Sequence, residues 1–182
     1  VNGLSGRLDY TFQIAKGTAS DPAQARDAIA GGSLPEVHLI PLDWDQPHTL
    51  NATLNYSIEY GGISFISQIG SGLPYTPEYT EDISTLVQNS AKKPLTWNID
   101  MRAYYNISVF DQDINLYCRV LNLIDHLNHT EINSDTGVAD RTKYLSQAQS
   151  QNTNEFYNTV EDWYNNETFY SKPRYIEIGM SY

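Results

Sequence analysis

Hydrophobic and polar residues alternate strictly along several stretches of this chain. The clearest covers 95–109. There Leu95, Trp97, Ile99, Met101, Ala103, Tyr105, Ile107 and Val109 interleave with Thr96, Asn98, Asp100, Arg102, Tyr104, Asn106 and Ser108. A side-chain period of two belongs to a β-strand with one apolar and one polar face. The same pattern predicts strands over 4–15, 48–58, 114–124 and 174–182. A further strand over 63–70 is blurred, because Ile66 falls opposite Ile63, Phe65 and Ile69. About six strands result.

The connections between them run long, short, long, short, long. Glu59-Tyr60-Gly61-Gly62 and Phe110-Asp111-Gln112-Asp113 read as tight turns, the first with glycines suited to a hairpin. The long connections cover 16–47, 71–94 and 125–172. Within the first, Asp21-Pro22 ahead of A-Q-A-R-D-A-I-A and Gly31-Gly32 beyond it predict a short helix. A second helix is expected over 155–164. In an up-and-down sheet this order puts every short turn at one end and every long connection at the other.

That asymmetry, with strands longer than the usual ~5–6 residues, predicts an all-β fold. More specifically it predicts an antiparallel up-and-down transmembrane β-barrel segment with short periplasmic turns and long extracellular loops. The whole of 1–182 is one unit. Trp97 and Tyr105 lie toward opposite ends of one apolar strand face, as two interfacial aromatic belts require. No run approaches the ~18 apolar residues of a membrane-spanning helix, which leaves barrel strands open. The chain begins at Val1 and is already strand-like, so a C-terminal portion of a longer protein is expected.

Charge narrows the function classes. Acidic residues number 22 against 11 basic ones, for a net charge of −11, which argues against nucleic-acid binding. The 14 tyrosines fit either a girdled barrel or a sugar- or protein-binding β-domain. Cys118 is the lone cysteine and falls on an apolar strand side, where it reads as a small hydrophobe.

Candidate chemistry is sparse. No nucleophile elbow, phosphate loop or paired-carboxylate signature occurs, so no enzymatic activity is predicted. His126-x-x-His129 lacks a third ligand, and His38 and His48 are scattered. Asp43, Asp45, Glu78, Glu81 and Asp82 lack EF-hand spacing. No metal and no cofactor are expected. Arg7, Asp9, Asp100, Arg102 and Arg119 all fall on polar strand sides, which in a barrel face the lumen. An unpaired charge facing lipid at the midplane costs ~2–4 kcal/mol, so their consistent placement supports the register. Inter-strand ion pairs are their expected role. Trp44, Tyr75, Tyr79, Trp163 and Tyr164 lie in the long connections, where aromatic rings can stack on a ligand.

Several segments match a known family in order. They are P-L-D-W-D-Q-P-H-T-L-N at 41–51, G-S-G-L-P-Y-T-P at 70–77, N-I-D-M-R-A at 98–103, R-V-L-N-L-I-D-H-L-N at 119–128, S-D-T-G at 134–137 and P-R-Y-I-E-I-G-M-S-Y at 173–182. On these the chain resembles the C-terminal barrel portion of TonB-dependent outer-membrane receptors. Ile124 stands where the family usually has phenylalanine. The resemblance implies a much larger barrel filled by an N-terminal plug, in the cell outer membrane of a Gram-negative bacterium. It implies TonB-energised uptake of a scarce nutrient, of the iron chelate, cobalamin or glycan type. The implied partners are outer-membrane lipid, the TonB complex through a missing N-terminal region, a small-molecule or glycan substrate, and the barrel-assembly machinery. The last would read the terminal strand and its final aromatic, Tyr182. The alternatives are a passive porin-like or structural barrel, and a secreted β-sandwich that binds glycans.

Overall fold

Backbone pairing follows the alternation. The computed structural model describes residues 3–78, 88–110, 112–145 and 166–182. In chain order the elements are β1 (Gly3–Phe12), β2 (Lys16–Gly17), α1 (Gln24–Ala30), β3 (Ile40–Pro41), β4 (His48–Ile58) and β5 (Gly61–Gly70). They continue with β6 (Pro74–Tyr75), β7 (Ala91–Lys92), β8 (Thr96–Val109), β9 (Gln112–Leu121) and β10 (Tyr175–Ser181). The long strands form one six-stranded sheet in the order β1-β4-β5-β8-β9-β10, and each neighbouring pair is antiparallel. The sheet is open: β1 and β10 are its edges and do not pair with each other.

The register keeps the two faces in line across all six strands, with Ile66 and Ser67 of β5 the exceptions to their character. One row reads Gly6, Leu54, Phe65, Met101, Val120, Ile176. The next on that face reads Leu4, Tyr56, Ile63, Ala103, Cys118, Ile178. Between them, pointing the other way, lies Ser5, Asn55, Ser64, Arg102, Arg119, Glu177. A one-residue slip anywhere would exchange the faces, so six strands hold a single register.

Nothing among the described residues forms a second layer on the apolar face. The buried apolar residues described are Ile40, Val120 and Ala139. By contrast Leu8 is 70% exposed, Ile178 79% and Met180 73%. A sheet in water normally covers its apolar face with another layer.

Three details depart from the sequence reading. The 48–70 hairpin turns on Glu59-Tyr60 alone, since Ile58 already pairs with Gly61. Gly61 and Gly62 are thus part of the ladder. A Cβ on Gly61 would press on the Tyr104 carbonyl oxygen, and one on Gly62 on the Tyr104 ring, so close approach of β8 is what selects glycine there. The strand expected over 114–124 stops at Leu121, because Asn122 turns left-handed with φ of 54°. The helix starts at Gln24, two residues past Pro22, after Asp21 accepts the Ala23 N–H at 2.7 Å. It ends as expected on glycines: Gly32 has φ of 78°, and Ser33 N–H reaches the Ala28 carbonyl at 2.8 Å. The second expected helix, over 155–164, lies outside the described residues.

Candidate functional site

The two short turns leave the sheet at one end, and the three long connections gather at the other. The connections are cross-tied by small polar side chains. Asp45 is the first tie. It is 4% exposed, accepts the Ala15 N–H at 2.8 Å, and pairs with Lys92 Nζ at 3.0 Å. This joins the segment between β3 and β4 to β7. Burial pushes the Asp45 carboxyl up. The Ala15 hydrogen bond and the Lys92 and Lys16 charges outweigh it and hold the group below the ordinary aspartate value.

Asn89 is the second tie. It is buried with φ of 58° and donates to the Pro41 carbonyl at 2.8 Å and to Asp43 Oδ1 at 2.7 Å. Its own N–H donates to Thr76 Oγ1 at 3.0 Å. Glu78 makes the third, accepting from Ser134 Oγ at 2.8 Å and from the Tyr144 hydroxyl at 3.2 Å. Lys93 reaches the Thr130 carbonyl at 2.9 Å. The result is a joined layer at this end of the sheet in place of independent loops.

The residues after β9 are held the same way. Asn122 donates its amide to the His126 carbonyl at 2.9 Å and the Lys172 carbonyl at 3.1 Å, and accepts the His126 N–H at 2.9 Å. Asn128 then takes the place of a strand partner for Trp97. Its side-chain oxygen accepts the Trp97 N–H at 2.7 Å, and its amide donates to the Trp97 carbonyl at 2.9 Å.

Of the predicted ligand-contact residues, Trp44 is 54% exposed beside buried Asp45. Tyr75 is half-buried, and its hydroxyl occupies the space a Cβ on Gly137 would need. Gly137 has φ of 76°, so glycine there serves both the turn and the tyrosine. Tyr79, Trp163 and Tyr164 lie outside the described residues, as do Glu81 and Asp82. Among the described residues, Trp44 and Tyr75 make no ring contact with each other.

Arg7, Asp9, Asp100, Arg102 and Arg119 share one face of the sheet. Among the described residues, one of them makes an inter-strand ion pair, Arg119 with Glu177. Arg7 pairs with Asp9 on its own strand at 2.7 Å. Asp100 Oδ1 accepts from the Asn98 amide at 2.9 Å and the Asn122 N–H at 2.9 Å. Arg119 lies 3.9 Å from Glu177, and Arg102 stands opposite Arg119. Tyr182 follows β10 and is fully exposed.

No protein-family model, curated protein or solved structure matches the chain.

His129 serves structure. Its Nδ1 accepts the Ala139 N–H at 2.9 Å, and its ring meets Tyr170 edge-on at 5.4 Å. Burial, with Asp140 nearby, raises the Tyr170 hydroxyl above the usual tyrosine range. No group of three metal-ligating side chains occurs among the described residues. Asn89, Asn122 and Asn128 were not singled out by sequence reasoning. Asn122 and Asn128 lie inside the R-V-L-N-L-I-D-H-L-N segment, and an asparagine ending an apolar run ahead of Asp125 is a turn signal that marks the first of them.

Proposed function

We propose that this chain is wall and outer-loop structure of an outer-membrane β-barrel of the TonB-dependent receptor type. Its apolar face meets lipid and its polar face lines the lumen. The observation that supports this best is the apolar face that runs over six strands, interrupted by Ser67, with Leu8, Ile178 and Met180 more than two-thirds exposed on it. In water such a face is far larger than the few hundred Å² that soluble monomers leave bare.

Dimensions agree. Trp97 and Tyr105 are about 27 Å apart along β8, or roughly 20 Å along the membrane normal at a tilt of about 40°. At the Trp97 end of the same face, Tyr10 and Phe12 pack on His48, and Trp97 packs on His126. Ring systems with a polar edge suit the headgroup level.

On this proposal the joined outer layer faces the surroundings and takes part in admitting a small-molecule or glycan substrate. Energised transport needs a plug and a TonB-contacting segment from elsewhere in the receptor. The terminal strand with Tyr182 is the part addressed to the assembly machinery. No enzymatic step is assigned.

The test is a paired substitution in outer-membrane insertion assays. Ile99 and Asn98 are adjacent in β8 and lie on opposite faces. Ile99→Arg is expected to lower inserted protein at least tenfold, and Asn98→Arg less than twofold. Equal effects overturn the lipid-face assignment. Refolding as a monodisperse monomer without detergent points instead to a secreted sandwich.

A further inference from the structure

We propose that Arg102 and Arg119 form a carboxylate-binding site on the polar face of the sheet. The two are register partners on β8 and β9. Like charges placed directly across an antiparallel pair destabilise it. A sequence that keeps both arginines there works against its own sheet, and such conflicts mark functional positions.

The neighbours do not neutralise the pair. Along the row the next residues are Ser64 on one side and Glu177 on the other. Glu177 is loosely held: its Oε2 is 3.9 Å from Arg119, and its Oε1 accepts from the Tyr117 hydroxyl at 3.4 Å. Asp100 turns its Oδ1 to Asn98 and to the Asn122 N–H. Arg102 makes no hydrogen bond or ion pair among the described residues. Arg7, on the same face, makes a close one with Asp9 at 2.7 Å. Arg102 is exposed and, unlike Arg7, keeps its donors available to a ligand.

There is also room. A depression of about 560 Å³ is lined by Ser64, Ile66, Asp100, Arg102, Tyr117 and Arg119, among others. The tyrosines of the next row leave it open. Tyr104 and Tyr117 are register partners, yet Tyr104 lies over Gly62 on β5 and Tyr117 over Gly179 on β10. They lean away from one another because each neighbouring strand offers a glycine. The floor beside the arginines is left bare as a result.

Charge selects the ligand. Two guanidinium forks match the planar, bidentate geometry of a carboxylate. Asp100 and Glu177 stand near the pair without facing it closely, and their charge disfavours a doubly charged phosphate more than a single carboxylate. The carboxylate is either a free small molecule or an Asp or Glu side chain of a peptide segment. This site rests on the proposed assignment of the polar face to the lumen, and holds equally for a sheet whose polar face is in water.

The test is a titration of the full chain, in detergent micelles or in whichever buffer keeps it monodisperse, followed by the arginine Nε–H signals in NMR. The probes are glutarate, a blocked Gly-Glu-Gly peptide and sulfate. Arg102 and Arg119 are expected to shift saturably with glutarate or the peptide while Arg7 stays still. The tighter of the two identifies a free or a peptide source. Arg102→Gln is expected to weaken binding at least tenfold, and Arg102→Lys, which keeps the charge and loses the fork, at least threefold. A shift that does not saturate, an equal shift at Arg7, or tighter binding of sulfate overturns the site.

Discussion

Asp100, in β8, accepts the backbone N–H of Asn122 at 2.9 Å, one residue beyond the end of β9. This bond takes over where the ladder stops. The next backbone bond, Leu123 N–H to the Ile99 carbonyl at 2.7 Å, lies past the bend. The carboxylate on the polar face thus anchors the point where β9 becomes a connection.

Asn122 combines a left-handed φ with three side-chain hydrogen bonds. Each such bond contributes roughly 0.5–1.5 kcal/mol. Most other residues at this φ add about 1–2 kcal/mol of strain. Asn122→Ala is expected to destabilise the 122–128 bend by about 2–4 kcal/mol. Asn122→Gly removes the bonds without the strain and falls between. Hydrogen exchange at the His126 amide measures this, and a wild-type rate in Asn122→Ala removes the anchor.

Gly72 in the S-G-L-P-Y-T-P segment has no special φ. Its need for glycine is steric, because the Lys93 carbonyl oxygen occupies the space a Cβ would take. Gly72→Ala must move backbone and is expected to cost roughly 1–3 kcal/mol. Gly3, with nothing near, is the control: Gly3→Ala leaves stability unchanged. Proteolysis between β6 and β7 distinguishes the two variants, and equal resistance rejects the close approach.

Asp45 sets an acid limit on the outer layer. Its folded pKa lies below the ordinary aspartate value of about 3.9. Its contribution is fully present above that value and is lost as pH falls through the folded pKa. The Ala15 and Lys92 resonances are expected to hold steady at neutral pH and to move only below about 3.9. In Asp45→Asn that acid transition is absent. A transition surviving in the variant assigns it to another carboxylate.

Asn128 tests whether a side chain can stand in for a strand. Asn128→Ala removes both bonds to the Trp97 backbone. Loss of protection at the Trp97 amide, with Met101 protection retained, is the expected outcome. Met101 pairs directly with Val120 and is independent of the substitution. Loss at both positions indicates wider unfolding of β8.

Strands such as β4 and β8 were legible because each has a face of its own, and alternation reports it directly. The glycines 61 and 62 were misjudged as turn residues because their constraint comes from Tyr104, some forty positions away. The end of β9 was missed for a related reason. Leu123 and Ile124 continue the apolar character, and the bend is enforced by bonds to His126 and Lys172. The arginine row was visible only as five separate charges. Register alone places Arg102 across from Arg119.

The scarcity of buried apolar side chains, with Ile40, Val120 and Ala139 alone among the described residues, has a consequence for how this chain drifts. In an ordinary domain the interior resists substitution and the exterior accepts it. On the proposed barrel reading lipid is the neighbour of the apolar face, and that map is inverted. Leu8, Ile178 and Met180 need only remain hydrocarbon, since a fluid makes no demand on shape. The stringent positions are small and polar, Asn89, Asn122 and Asn128, which no hydrophobicity scale would rank as a core.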